Sequence, residues 1–303
     1  MPAPHRYVTE GRSDAACPFA SGNPASVASG RVFRPGERGQ PEPVQTVETG
    51  EACPEPPGPR VSAAFAAIDA FVRHRTYPCT GAKSALNKQT HRMGFYGSIR
   101  DTESGRCVAA DLAWFADSAD GIDDTYATFV AVFEPAVLDP AGFETALWAQ
   151  LQAMNETTPG RAWDPAYSDD PADVKFAFSL AGEAFYVIGM HPLAEREARR
   201  FPYPILIFNL HRQFEKLRAE GRFDPMRTLI REREEALAGA PNPFLSDHGM
   251  ASEAPQYAGC PHAAGWRPAF RNVNAGERPA AATRPHAELS AKPQTPHRNP
   301  PHV

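Results

Sequence analysis

The 303-residue chain contains no apolar run as long as the roughly 18 residues that mark a membrane span, so no bilayer-crossing helix is expected. Its N-terminus lacks the apolar stretch of a secretory signal peptide. Cysteine is scarce. The five residues, Cys17, Cys53, Cys79, Cys107 and Cys260, are odd in number and widely spaced, and none falls in a C-x-x-C pair or at a zinc-ligand spacing. That distribution argues against a disulfide framework or a structural zinc and points to a reducing, cytoplasmic setting. Positive charge is not in excess either. Against 36 acidic residues stand 31 basic ones, net −5, with no basic face or RNA-binding signature, so nucleic acid is not expected as a partner. No period of 20–50 residues repeats, which excludes a solenoid or propeller.

Proline, by contrast, is plentiful: there are 32, crowded toward the two ends, alongside 22 glycines. Residues 1–60, with "PEPPGPR", and residues 261–303, ending "KPQTPHRNPPHV", carry no sustained apolar period. Such composition cannot bury enough apolar surface to offset the entropy of ordering. The expectation is a disordered N-terminal tail over 1–60, one globular domain over 61–260, and a disordered C-terminal tail over 261–303.

Inside that domain the periods change from segment to segment. "RVSAAFAAIDAFVRHR" places Phe65, Ile68, Phe71 and Val72 at helical spacing, and a second short helix begins in "TYPCTGAKSALN" after Pro78. "RMGFYGS" reads as a strand, "DTESGRC" as a turn, "VAADLAWFADSA" as a helix, and "TYATFVAVFEP" as a central strand closed by Pro135. "PAGFETALWAQLQAMNETT" starts at Pro140 and aligns Phe143, Leu147, Leu151 and Met154 on one stripe. "VKFAFSLAG" and "EAFYVIGMHP" form a hairpin about Gly182, "PILIFNL" is a further buried strand, and two helices follow, the last ending at Gly239. The sum is an α+β domain, a mainly antiparallel or mixed sheet flanked by helices.

Two of these strand-like runs end on a histidine, His191 and His211. Taken singly, each reads as an ordinary histidine. Placed alike at the ends of two strands that are expected to be neighbours, they become a candidate ligand pair at one sheet edge, since neutral imidazole suits iron, copper or zinc. Pro192 restricts His191 to extended backbone and so fixes its direction. Between them Arg196, Arg199 and Arg200 could converge on an anion, or could form a solvated turn neutralised by Glu195 and Glu197. Glu134, at a strand end, could meet a cationic substrate or simply face solvent. "YPCTGAKSALN" fails the phosphate-loop spacing despite Lys83 and Ser84, and Cys79 reads as a small packing residue.

The block "GEAFYVIGMHPLAEREARRFPYPILIFNLHRQFEKLR", with "YPCTGAKSALN" and "NPFLSDHGMASEAPQYAG", resembles the YqcI/YcgG family over about residues 61–260. It looks closest to the branch of heme-dependent N-hydroxylases acting on guanidino nitrogen in guanitoxin and D-cycloserine biosynthesis. The resemblance implies an oxidoreductase, a monooxygenase that binds heme b and uses molecular oxygen. It further implies a small guanidino or amine substrate, such as arginine, and an unidentified electron donor. A heme needs an axial ligand, an apolar slot and cations for its carboxylates. On that reading His191 is the first choice for the iron ligand and His211 the alternative, otherwise a catalytic group beside the bound oxygen. Arg196, Arg199 and Arg200 hold the cofactor, and Glu134, Glu183 and Asp111 are the carboxylates open to the substrate. Two rival classes stand beside it: a non-heme metal-dependent oxygenase built on His191, His211 and Glu134, and a heme-binding protein without turnover.

Overall fold

The β-branched and aromatic run around Phe129 becomes the middle of a seven-stranded sheet. The computed structural model describes residues 32–36, 40–44, 58–123, 125–157, 163–243, 250–263 and 265–274. In chain order the first elements are β1 (Val32–Pro35), β2 (Pro41–Pro43), α1 (Pro59–Arg73), α2 (Thr80–Asn87), β3 (His91–Phe95), α3 (Thr102–Ile122) and β4 (Thr128–Val132). Then come α4 (Pro140–Thr157), β5 (Phe178–Leu180), β6 (Glu183–Met190), β7 (Ile205–Leu210), α5 (His211–Ala219), α6 (Phe223–Ala238) and α7 (Ala254–Ala258). The strands lie in the order β2-β1-β3-β4-β7-β6-β5. β3 and β4 are parallel, joined by α3 as their crossover, and the other neighbouring pairs are antiparallel. The fold is α+β with a mixed sheet, as the periods predict.

Alternation along the strands sorts the two faces. Phe185 and Val187 of β6, with Leu206, Phe208 and Leu210 of β7, point into a core closed by α3, α4 and α7. The α4 stripe of Phe143, Leu147, Leu151 and Met154 is buried there. On the opposite face Val130, Val132, Met190 and Ile205 pack beneath Val61, Phe65, Ile68 and Leu86 of α1 and α2. That second layer stops short: Ile188 and Ile207, in strands paired on both sides, stay only half-buried.

Three segments differ from expectation. "DTESGRC" is not a turn but the start of α3, because the Asp101 carboxylate caps the helix by accepting the Glu103 N–H at 3.0 Å. Gly105, within that segment, is a contact point. A Cβ there would meet Ala153 Cβ and the Gln150 carbonyl at 3.0 Å, so glycine lets α3 approach α4. The β5–β6 hairpin turns through Ala181 and Gly182, both with positive φ (56° and 81°), the conformation a two-residue turn requires.

The segments read as tails also contribute structure. β1 pairs with β3, Phe33 opposite Met93, and the Phe33 ring meets Phe95 edge-on at 5.7 Å. At the other end Phe270 and Asn272 are buried, and Asn272 Oδ1 accepts from Asn155 of α4 at 3.1 Å. Residues 1–31 and 275–303 lie outside the described residues, as do Cys17 and Cys53. Among the described residues no helix is long and apolar enough to cross a membrane.

Candidate functional site

His191 and His211 do end neighbouring strands, but those strands run antiparallel. Met190 lies opposite Ile205 and Phe185 opposite Leu210, so the two histidines stand at opposite ends of the ladder, roughly 20 Å apart at the usual strand rise. They also face opposite sides of the sheet. His191 stacks on Phe143 of α4, whereas His211 contacts Tyr186, on the face opposite Phe185 and Val187. The expectation that both imidazoles project near one edge is therefore corrected. His191, His211 and Glu134 cannot close on one ion.

Each histidine has its own setting. The His191 ring is buried and lies flat on Phe143, centroids 4.3 Å apart at 18°. Burial lowers its pKa, opposed by a hydrogen bond to the Leu138 carbonyl. There is no slack around it: a Cβ on Gly189, two residues earlier on the same face, would meet Phe143 at 2.7 Å and Leu147 at 2.8 Å. His211 is buried at the first turn of α5, with Nε2 at 3.2 Å and 3.1 Å from the two oxygens of Glu253. The Tyr257 hydroxyl donates to Glu253 at 2.5 Å and accepts the Phe178 N–H at 3.0 Å. Burial first, and then the Glu253 charge, push the Tyr257 hydroxyl well above its ordinary range, so it remains a donor. Tyr167 lies over the His211 ring at 4.7 Å, and the Tyr186 hydroxyl donates to Gln256 at 2.9 Å.

A proton held on Nε2 by the Glu253 carboxylate leaves Nδ1 of His211 with its lone pair free. That atom is buried and has no hydrogen-bond partner among the described residues. Nδ1 of His191 is likewise unpartnered among the described residues, but its ring stacks on Phe143 of α4.

The three arginines do not converge. Arg196 pairs with Glu234 at 3.3 Å and donates to the carbonyls of Ala240 and Pro241, fastening the turn to the end of α6. Arg200 donates to the carbonyls of Ala194 and Glu195 in its own turn. Arg199 alone reaches inward: its Nη1 donates to Tyr257 O at 2.9 Å and Gly189 O at 3.4 Å. Gly259 covers its guanidinium so closely that a Cβ there would come within 2.8 Å of it. Burial draws its pKa down, while Tyr186, Glu234 and Tyr77 act the other way.

The proposed substrate carboxylates are occupied or remote. Asp111 is in the core, accepting from Tyr96 Oη at 2.9 Å, Glu183 pairs with Arg212 at 3.1 Å, and Glu134 is exposed at the end of β4 in the field of Arg60. Cys79 caps α2, its Sγ accepting the Ala82 N–H at 3.4 Å. Sequence reasoning missed Glu253, Gln256, Tyr257 and Tyr167. They sit in short or irregular segments with no apolar period, and the only signal for the first three was the "SEAPQYAG" stretch of the resemblance.

His211, Glu253, Tyr257 and Arg199 thus form one hydrogen-bonded set, with the Tyr186 ring against those of His211 and Tyr257. No curated protein and no solved structure matches the chain. A family model does match, over residues 68–270, well over half the length, and by that match the chain belongs to the YqcI/YcgG family.

Proposed function

We propose that this YqcI/YcgG protein binds heme b on the outer face of β6 and β7 and hydroxylates a guanidino or amine nitrogen of a small substrate. The observation that carries the reading is the His211–Glu253 pair. Metal-bound histidines characteristically donate their second ring nitrogen to a carboxylate or carbonyl, which fixes the tautomer and raises ligand basicity. His211 has that arrangement, with Nδ1 left unpartnered. The neighbouring residues fit a flat, largely apolar group with carboxylates at its rim: Tyr186, Ile188 and Ile207 as wall, Arg199 as the cation. His191, first choice from the sequence, fits less well because Phe143 and Leu147 fill its side of the sheet.

Heme, when bound, supplies the activation of molecular oxygen with electrons from an external donor. The chain's own residues do the rest. Glu253 holds the His211 proton on Nε2, and the Tyr257 hydroxyl keeps that carboxylate in place. The aromatic and aliphatic wall excludes water. The balanced reaction inserts one oxygen atom of O2 into the substrate N–H, and the other leaves as water with two electrons and two protons from the reductant.

The test is turnover with labelled oxygen. Full-length protein supplied with heme, a chemical reductant, ¹⁸O2 and arginine or other guanidines and amines should give a hydroxylated product carrying one label. Heme bound with no labelled product from any of them would reduce the protein to a heme binder without turnover.

A further inference from the structure

We infer that Glu144, Cys260 and His262 form a second site, for a zinc-type divalent transition metal, which fastens the segment after α7 to the first turns of α4. This inference is independent of the heme reading. The ligand atoms of the three residues all lie within 4.8 Å of one another. Cys260 Sγ and His262 Nε2 are 3.8 Å apart. A tetrahedral ion with Zn–S of about 2.3 Å and Zn–N of about 2.1 Å requires a separation of roughly 3.6 Å, so little movement is needed. His262 Nε2 now contacts Glu144 Oε1 directly, and an entering ion would take the place of that contact.

Local chain geometry explains how a thiol and an imidazole two residues apart face the same way. Gly259, with φ of +69°, turns the backbone out of α7. Pro261 then restricts Cys260 to extended backbone, in which side chains at i and i+2 share a side. The His262 ring is braced by Trp266 at 4.0 Å, and Trp266 leans on Trp148 of α4 at 6.1 Å. The side chains of His262 and Glu144 are only 9% and 17% exposed, so the donors are sheltered, and a water would supply the fourth ligand. One sulfur, one nitrogen and one oxygen donor is a borderline-soft set that favours zinc over magnesium or calcium. No spacing motif reveals it, because Glu144 comes from a different element than the C-P-H tripeptide. The proposal departs from the sequence-based expectation of no structural zinc, because the spacing rules do not register tertiary proximity.

The metal would steady more than a surface turn. Tyr257, three residues before Cys260, donates to Glu253, and its carbonyl receives Arg199. Binding releases the Cys260 thiol proton to solvent and forms a metal–thiolate bond.

The experiment is a titration of the full chain with Co²⁺, read by the thiolate-to-cobalt charge-transfer band and the visible ligand-field bands, followed by displacement with Zn²⁺. One equivalent of each per chain is expected, together with a higher melting temperature in Zn²⁺. Cys260→Ser should remove the charge-transfer band, and Cys79→Ser should leave it intact. Glu144→Gln, which preserves the hydrogen-bonding shape beside His262, should weaken Co²⁺ binding at least tenfold. It covers the case in which Cys260→Ser fails to fold. Absence of a thiolate band in the parent chain, or a band that survives Cys260→Ser, overturns the proposal, as does undiminished binding in Glu144→Gln.

Discussion

Among the described residues three buried imidazoles keep an unpartnered Nδ1, at His91, His191 and His211, and their surroundings give them different work. His91 lies against Phe65 at 5.9 Å, and its pKa is lowered to about 4, by burial foremost, with the Ala85 carbonyl opposing. It is a pH liability rather than a ligand. The folded chain keeps the ring neutral, whereas the unfolded chain takes up a proton below about 6.5. Stability is therefore lost as pH falls from about 6.5 to about 4, by an amount on the order of 3 kcal/mol. His91→Gln should flatten that acid limb. Denaturant unfolding at pH 7 and pH 4.5 checks it, and an unchanged difference between the two pH values would remove His91 from the account. His211 differs because Glu253 holds one of its nitrogens.

At the scale of elements, strands and helices with a strong period were legible from residues alone: the α4 stripe and the β4, β6 and β7 runs stand where the spacing puts them. Elements held by only a few contacts were not. β1 and β2 span four and three residues in proline-rich surroundings, too short to show alternation. Yet Val32 and Phe33 are buried, and β1 covers the edge of β3. The burial of two such side chains is worth roughly 3–6 kcal/mol. A chain spanning residues 30–274 should melt close to the full chain, and one spanning 55–274 on the order of 10 °C lower. Equal melting of the two truncated chains, measured by circular dichroism, would mean that the hairpin contributes nothing. The antiparallel order of β6 and β7 was not legible, because residues 191–204 between them are as long as a parallel crossover could be; in the structure they hold only one turn of 3-10 helix, at Glu197–Arg199. Antiparallel pairing then separates His191 from His211. What the residues could not disclose is Glu253, which meets His211 from 42 positions away.

Across the whole molecule the sheet has a filled side and an unfinished one. α3, α4 and α7 close the first over a continuous apolar core that includes His191. On the second, among the described residues, α1 and α2 pack over Val130, Val132, Met190 and Ile205, while Ile188 and Ile207 stay half-buried. That asymmetry is why we propose heme binding on the His211 side, and one measurement tests the proposal most directly. The absorption spectrum of heme-loaded protein is recorded, oxidised and reduced, for the parent chain, His211→Gly and His191→Gly. His211→Gly should lose or sharply shift the Soret band and regain the parental spectrum when imidazole fills the vacated ligand position. His191→Gly should keep the parental spectrum while melting at a lower temperature. An unaltered Soret band in His211→Gly, with the loss and the imidazole rescue appearing in His191→Gly instead, would contradict the account.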